Sequence, residues 1–121
     1  MDRQTLGRAG ERLAASHLES KGYEILDRNV YTAQGELDLV ARSPDGVIVF
    51  VEVRARRGRR AAEEAAASVD DRKQRRLRDL AGTYLAERAP DADARIDVIT
   101  VALGSDGKLS GLTYYENAVE G

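Results

Sequence analysis

Two acidic residues on neighbouring predicted strands are the clearest candidates for chemistry in this sequence. Residues 35–56, GELDLVARSPDGVIVFVEVRAR, contain two extended segments joined by SPDG at 43–46, in which Pro, Asp and Gly each suit their turn position. If the turn is a three-residue hairpin loop with a glycine bulge, counting back places Asp38 opposite Glu52. Like charges opposed on a sheet destabilise it, so the pair predicts a bound cation.

The same hairpin register predicts the surroundings of the acidic pair. It places Val40 opposite Phe50 and Glu36 opposite Arg54, where an ion pair could form across the hairpin. The second strand is apolar on both faces at its start and polar at its end. That pattern is typical of a central strand whose last residues open into a cleft.

Oxygen atoms are the donors that this sequence offers to a metal ion. The chain has no Cys and a single histidine, His17, which excludes disulfides and thiolate zinc sites and argues against imidazole ligation. Mg²⁺ and Mn²⁺ prefer carboxylates together with water and phosphate oxygens. Asp38 and Glu52 would supply the carboxylates, the backbone carbonyl of Val53 a third oxygen, and Glu11 a contact to a bound water or a second ion.

An N-terminal helix is predicted to bring Glu11 to the cleft. Asp2 or Thr5 can cap this helix, and it should stop at Gly22. Glu11 lies on a stripe of small and apolar residues that lets the helix approach the sheet closely. The alternative is a glutamate on the flank of the helix that reaches solvent or pairs with Arg8. The members of the stripe are Gly7, Gly10, Ala14 and Leu18.

A second helix is predicted to carry basic residues along the cleft. Ser68 or Asp70 can cap it, and it should end before Pro90. Its buried stripe, extended by one turn toward the N-terminus, reaches Lys73, which should therefore point toward the acidic pair. The buried stripe itself comprises Leu77, Leu80, Ala81 and Tyr84.

The other predicted elements complete a mixed sheet. Arg28 and Asn29 are expected to orient the turn between an edge strand and the hairpin. Asp97 lies in an otherwise apolar segment, and we interpret it as a structural partner of Arg95 or of a helix terminus. Residues 57–68, RGRRAAEEAAAS, predict a flexible loop, with a frayed alanine-rich helix as the alternative. Further strands are predicted at residues 23–31, 95–103 and 109–115.

Length and composition predict one domain spanning residues 1–121. The core must be aliphatic, because the chain has no Trp and one Phe. No segment approaches the roughly 20 apolar residues of a membrane helix, and the N-terminus has no signal-peptide pattern, so we expect a cytoplasmic protein without a membrane partner.

Basic residues are concentrated beside the predicted cleft although the formal net charge is -2. Ten of the nineteen Lys and Arg lie between Arg54 and Arg78, where they would attract phosphate. The alternative is a solvated basic face, which explains most charge runs of this kind. The candidate nucleic-acid-binding residues are Arg56, Arg57, Arg59, Arg60, Arg72, Lys73 and Arg76.

Taken together, these motifs resemble two known groups of proteins. Asp38, followed on the next strand by Glu52-Val53-Arg54 and preceded by Glu11 on a helix, resembles the PD-(D/E)XK nuclease pattern. Over nearly the whole chain the sequence is similar to the YraN family of small bacterial proteins, which is related to archaeal Holliday-junction resolvases. The motifs shared with that family are Gly10-Glu11, Gly22-Tyr23, Arg28-Asn29, GELDLV, FVEV, KQRRL at Lys73 and Arg95-x-Asp97-Val98.

The resemblance implies a restriction-endonuclease-like α/β fold, with helices flanking a mixed sheet in the order α-β-β-β-α-β-β. It also implies an endonuclease dependent on Mg²⁺ or Mn²⁺ that hydrolyses phosphodiester bonds of DNA, including branched or structured DNA. The catalytic residues would be Glu11, Asp38, Glu52 and Arg54, with Glu36 in support. The family pattern expects Lys where this chain has Arg54, and Arg cannot release its proton, which leaves proton abstraction to Glu36, Glu11 or solvent.

Two other functions stay open on the sequence. A noncatalytic nucleic-acid-binding module of the same fold would hold phosphate through the basic residues, and a protein-interaction subunit is a third alternative. The related resolvases act as dimers, so the resemblance admits a homodimer, although the sequence marks no apolar interface patch.

Overall fold

The sheet of this protein has an apolar cluster on each face. The structure, a computed structural model, describes residues 1–119. One cluster packs helix α1 against the sheet and the other packs helix α3 against the opposite face. The elements are α1 (Arg3–Ser20), β1 (Glu24–Thr32), β2 (Gly35–Arg42), β3 (Ile48–Arg57), α2 (Ala61–Ala67), α3 (Asp71–Arg88), β4 (Ala94–Leu103) and β5 (Leu109–Val119).

The five strands lie in the order β1-β2-β3-β4-β5. Strands β3 and β4 are parallel, and every other neighbouring pair is antiparallel. The parallel pair requires a crossover, and helices α2 and α3 provide it. The predicted α/β fold and its order of elements are therefore confirmed, with the short helix α2 added inside the crossover. None of the helices in the described part of the chain has the length and apolar character needed to cross a membrane.

The hairpin between β2 and β3 has the predicted turn and register. The N–H of Gly46 donates to the carbonyl of Ser43, and the N–H of Ser43 donates to the carbonyl of Val47, both at 2.9 Å. Gly46 adopts a φ of 88°, which a glycine bulge requires. Val40 pairs with Phe50, as predicted.

The strand pairing ends earlier than the hairpin rule predicts. The last pair toward the open end is Leu39 with Val51. Neither of the next predicted pairs, Asp38 with Glu52 and Glu36 with Arg54, therefore belongs to the strand ladder. The physical reason lies in Asp38, whose carboxylate accepts the N–H of Val53 at 2.9 Å. A side chain thus takes a donor that continued strand pairing would use, and β2 separates from β3 at this point.

Helix α1 begins and ends where the sequence predicts, and it packs closely on β3. Asp2 caps it by accepting the N–H of Thr5 at 2.8 Å, and Gly22 follows its end with a φ of 88°. A Cβ added at Gly10 would lie 2.7 Å from the Cβ of Ala55 on β3. The absence of a side chain at Gly10 is therefore what lets the helix lie against the sheet and sets the position of Glu11.

Helix α3 also confirms its prediction. Its N-cap is Asp70, which accepts the N–H of Lys73 at 2.9 Å, and its buried residues are those of the predicted stripe. The crossover before it differs from the predicted loop at 57–68, because β3 continues to Arg57 and the alanine-rich alternative is the conformation found. Ala61 and Ala65 are buried, since side chains four residues apart share a helix face. The flexibility of this segment stays a prediction.

Asp97 has the structural role that the sequence predicts. It is fully buried and forms an ion pair with Arg95 at 3.2 Å. It also accepts hydrogen bonds from the hydroxyl of Tyr114 and, at 2.8 Å, from the backbone N–H of Asn117. Strand β5 extends beyond its predicted end at residue 115, and the bond to Asn117 anchors this extension.

We expect Gly10→Ala to destabilise the protein. The added methyl group must displace α1 or β3, which costs about 1–3 kcal/mol in a packed interior. Gly7→Ala is the matched control, because it lies in the same helix and its Cβ would meet no atom within 4 Å. Alanine at that position should stabilise the helix by roughly 0.5–1 kcal/mol. Chemical denaturation measures both changes, and equal stability of the two variants would contradict the close approach at Gly10.

Candidate metal centre

The carboxylates of Asp38 and Glu52 meet where β2 and β3 stop pairing. Their mutual hydrogen bond contributes to raising the pKa of Asp38 and to lowering the pKa of Glu52. Burial, and then the hydrogen bond and charge of Glu52, raise the pKa of Asp38 far above its ordinary value. The pair therefore holds one proton at neutral pH when no cation neutralises it.

Glu52 is the anionic partner because two cations face it. Its side chain is 3% exposed, and its Oε2 lies 3.0 Å from Lys73 Nζ and 3.4 Å from Arg54 Nη2. Burial acts to raise the pKa of Glu52, but the hydrogen bond from Asp38 and the charges of Lys73 and Arg54 outweigh it and lower this pKa. Lys73 therefore points toward the acidic pair, as predicted. Arg54 pairs with Glu52 and not, as predicted, with Glu36.

A second group of carboxylates includes Asp38. One carboxylate oxygen from each of Glu11, Glu36 and Asp38 lies within 4.8 Å of the other two. Burial, followed by the charges of Glu36 and Glu52, raises the pKa of Glu11. Asp38 consequently interacts both with Glu52 and with the Glu11–Glu36 pair.

A break in the alternation of β2 lets Asp38 reach both groups. Leu37 and Val40 belong to the apolar cluster of α3, whereas Leu39 belongs to that of α1. Strict alternation would place residues 37 and 39 on one face. The irregularity at Asp38 therefore connects Glu11 of α1 with Glu52, which faces Lys73 of α3.

Asn29 is a residue of the site that the sequence analysis assigned only to a turn. It lies between the cross-strand pairs Arg28–Leu39 and Val30–Leu37, level with Asp38. With its amide oriented by hydrogen bonding, its nitrogen donates to Glu11 Oε1 at 3.1 Å and to Glu36 Oε1 at 2.7 Å. Its φ of 51° is a conformation that Asn tolerates better than most residues. Pairing β1 with β2 in the sequence would have placed it here.

The predicted nucleic-acid-binding residues fall into two groups. Arg72, Lys73 and Arg76 line a cavity of about 290 Å³ at the start of α3. The arginines from the end of β3 to the start of α2 instead make local contacts or lie in solvent. Arg56 donates to the carbonyl of Ala55 at 2.8 Å, Arg57 donates to the carbonyl of Ser105, Arg60 pairs with Glu63 at 3.1 Å, and Arg59 is exposed.

Basic residues that the sequence analysis missed flank the other side of the carboxylates. Arg8 lines a cavity of about 260 Å³ together with Arg3, Glu11 and Glu36. An adjoining cavity of about 200 Å³ is lined by Arg8, Glu11 and Arg28. In the sequence these arginines are scattered over α1 and β1, so no charge run indicates them. The acidic centre therefore lies between two basic surfaces.

Comparison with known proteins gives one family and several close relatives. Residues 10–101 match the family described as "Uncharacterised protein family UPF0102". A UPF0102 protein of Pelotomaculum thermopropionicum is 48% identical over 96% of this chain and 96% of its own length. Another from Symbiobacterium thermophilum is 48% identical over 86% of this chain and 87% of its own. One from Corynebacterium efficiens is 41% identical over 99% of this chain and 96% of its own length.

Among solved structures, SfsA of Pyrococcus furiosus in complex with Ca²⁺ is similar at 18% sequence identity and a TM-score of 0.42. The similar region covers 98% of this chain and 65% of the SfsA chain.

We expect Asp38→Asn to stabilise the metal-free protein, increasingly so as the pH rises. The folded state raises the pKa of Asp38, so this residue's contribution to stability is present below its unfolded pKa of about 4 and is lost as the pH rises above it. Asparagine reproduces the protonated side chain and avoids that loss. The gain in free energy of unfolding should reach roughly 1–3 kcal/mol at pH 8.

Asp45→Asn is the control of opposite sign. The hydrogen bond from Ser43 lowers the pKa of Asp45, so its charge contributes stability above its unfolded pKa, and that contribution is lost as the pH falls. Thermal denaturation in a chelator between pH 4 and pH 8 measures both variants. A stability difference for Asp38→Asn that stays constant with pH would contradict the shared proton.

Proposed function

Because the chain belongs to the uncharacterised protein family UPF0102, whose description assigns no activity, we propose its function from the site itself. We infer that the protein is a metal-dependent endonuclease that hydrolyses phosphodiester bonds of DNA. The observation that carries this proposal is the position of Asp38, whose carboxyl group interacts with Glu52 and has an oxygen within 4.8 Å of oxygens of Glu11 and Glu36.

The donor set fits Mg²⁺ or Mn²⁺. Glu11, Glu36 and Asp38 offer carboxylate oxygens within 4.8 Å of one another, and hard cations of this kind select oxygen ligands. The raised pKa values of Asp38 and Glu11 show that the surrounding side chains do not stabilise the ionised forms of these groups, which a bound cation would do. Glu52 and the carbonyl of Val53 complete the residues that would hold the ion, which would supply the charge that activates water and neutralises phosphate.

Arg54 is suited to binding a phosphate oxygen. Its Nε is buried and has no hydrogen-bond partner among the described residues, and an orphaned buried donor costs about 1–3 kcal/mol. Its Nη2 already faces Glu52, so the guanidinium is held at the acidic centre. The side chain as a whole is 24% exposed, so a phosphate oxygen of the substrate would bind at the exposed part of the guanidinium and place the scissile group beside Asp38.

Lys73 supplies the amine that the nuclease pattern expects at residue 54. Its Nζ lies 3.0 Å from Glu52, although it comes from α3 and not from β3. A lysine can exchange its proton during a reaction, whereas an arginine stays charged. We therefore assign proton handling at the attacking water to Lys73 and charge stabilisation to Arg54.

One observation favours the noncatalytic nucleic-acid-binding module as the second candidate. Lys73 and Arg54 already neutralise Glu52 without a metal ion, so this part of the site is stable without one. In that function the carboxylates repel phosphate, and removing their charge should strengthen binding to nucleic acid. In the endonuclease they are required.

We expect cleavage of DNA with Mg²⁺ or Mn²⁺ that disappears in Asp38→Asn and in Glu52→Gln. The substrates are single-stranded, duplex, flapped and four-way-junction DNA, with RNA in parallel. The matched control is Glu24→Gln, which removes an exposed carboxylate paired with Arg42. Circular dichroism checks that each variant is folded. Absence of cleavage together with tighter binding in both site variants would establish the binding module instead.

The division of roles between Lys73 and Arg54 gives a second expected result. Lys73→Arg keeps the charge beside Glu52 but removes the exchangeable proton, so the rate of cleavage should fall about 100-fold or more while binding of DNA changes little. Arg54→Lys should retain cleavage, because it restores the lysine of the nuclease pattern. Single-turnover rates and binding constants measure the two effects. Equal cleavage by Lys73→Arg and the unmodified protein would overturn the assignment.

A further inference from the structure

Tyr31 places an exposed aromatic ring beside the acidic centre. Tyr31 is 76% exposed, more than any other large hydrophobic residue in the described part of the chain. It pairs across the strands with Glu36, and directly opposed side chains have Cβ atoms about 5 Å apart. The ring therefore stands next to a carboxylate of the candidate metal centre.

The rest of the molecule gives Tyr31 no partner. The side chain of Tyr31 makes no hydrogen bond or ring contact among residues 1–119. The hydroxyl groups of Tyr23, Tyr84 and Tyr114 are by contrast bonded to Arg95, Asp27 and Asp97. Those three tyrosines belong to the packing of the fold, whereas the ring of Tyr31 is available to a ligand.

Two arginines accompany Tyr31 in the same cavity. Arg3 and Arg8 line the 260 Å³ cavity with Tyr31, Glu11 and Glu36. Both are exposed, and neither forms an ion pair within residues 1–119. The charge of Arg8 does act on Glu11, but neither guanidinium group is held in a close ion pair. A cavity that combines two such groups with a free aromatic ring can bind phosphate and a planar group at once.

This combination is the one that proteins use for single-stranded nucleic acids. Bases stack on aromatic side chains while cations follow the phosphates. In a duplex both faces of each base are covered by neighbouring bases, so an exposed ring gains nothing from a continuous double helix. The ring of Tyr31 can therefore engage DNA only where a base is unpaired and unstacked.

We propose that Tyr31 stacks on an unpaired base while Arg3 and Arg8 bind the adjoining phosphates. The substrate is accordingly DNA with a single-stranded segment next to the cleaved bond. This inference rests on the proposed endonuclease function and names its substrate class. It adds a positioning surface on α1 and β1, opposite the basic cavity at the start of α3.

The test compares binding of a fluorescein-labelled oligothymidylate with binding of a duplex of equal length, by anisotropy in EDTA. Tyr31→Ala should weaken single-strand binding about ten-fold or more, the usual effect of losing one stacked base, and change duplex binding less than about two-fold. Tyr31→Phe should bind like the unmodified protein. The matched control is Tyr115→Ala, which removes a tyrosine that is 42% exposed on the far edge strand β5.

Tyrosine fluorescence provides a direct signature of stacking, because the chain has no Trp and five Tyr. Oligothymidylate should quench the emission of the unmodified protein, and the quenching should be smaller in Tyr31→Phe although the affinity is unchanged. The double variant Arg3→Ala, Arg8→Ala should show a shallower plot of the logarithm of the binding constant against the logarithm of the salt concentration. Its slope should decrease in magnitude by roughly 0.7 for each phosphate that an arginine no longer neutralises.

The outcomes separate this inference from the proposed function. The inference is overturned if Tyr31→Ala binds single strands as tightly as the unmodified protein does. It is also overturned if Tyr31→Ala loses as much affinity for the duplex, or if Tyr115→Ala loses as much affinity for single strands. If the inference is overturned but metal-dependent cleavage is observed, the endonuclease function stands without the stacking surface. Loss of single-strand binding in Tyr31→Ala supports the stacking surface, and if no metal cleaves the bound strand, the endonuclease function fails while the surface stands.

Discussion

The structure depends on a buried carboxyl pair that replaces the pairing of two strands. Asp38 takes the N–H of Val53, which ends the β2–β3 pairing and opens the sheet at that residue. The opening admits Glu11 from one face and Lys73 from the other, and it brings both to a common centre. Gly10 is part of the same constraint, because a larger residue there would hold α1 away from the opening.

Much of this arrangement could be predicted from the sequence, because it rests on short-range chemistry. Turn residues set the register of the hairpin, helix caps set the bounds of α1 and α3, and the 3.6-residue period indicates the direction of Lys73. The family resemblance is also confirmed, since the chain matches UPF0102 relatives over nearly its whole length. These features depend on residues a few positions apart or on a pattern that the relatives share.

The features that could not be predicted depend on where regular structure stops. The hairpin rule pairs Glu36 with Arg54, but a side-chain hydrogen bond to Asp38 ends the ladder before that pair. Asn29 joins the site because β1 has a left-handed residue level with Asp38. Helix α2 forms because alanines bury against the sheet, which composition alone does not distinguish from a loop. In each case a tertiary contact determines the local conformation, and no short-range sequence pattern predicts that contact.

The comparison of Asp38 with Asp97 shows why the first is assigned to function and the second to structure. Asp97 is fully buried, yet Arg95, Tyr114 and a backbone N–H satisfy its oxygens, so its charge is compensated within the fold. Asp38 faces other carboxylates and retains a proton. Under the proposed function, a bound cation would replace that proton and compensate the carboxylate, and the basic residues beside the site would bind phosphate.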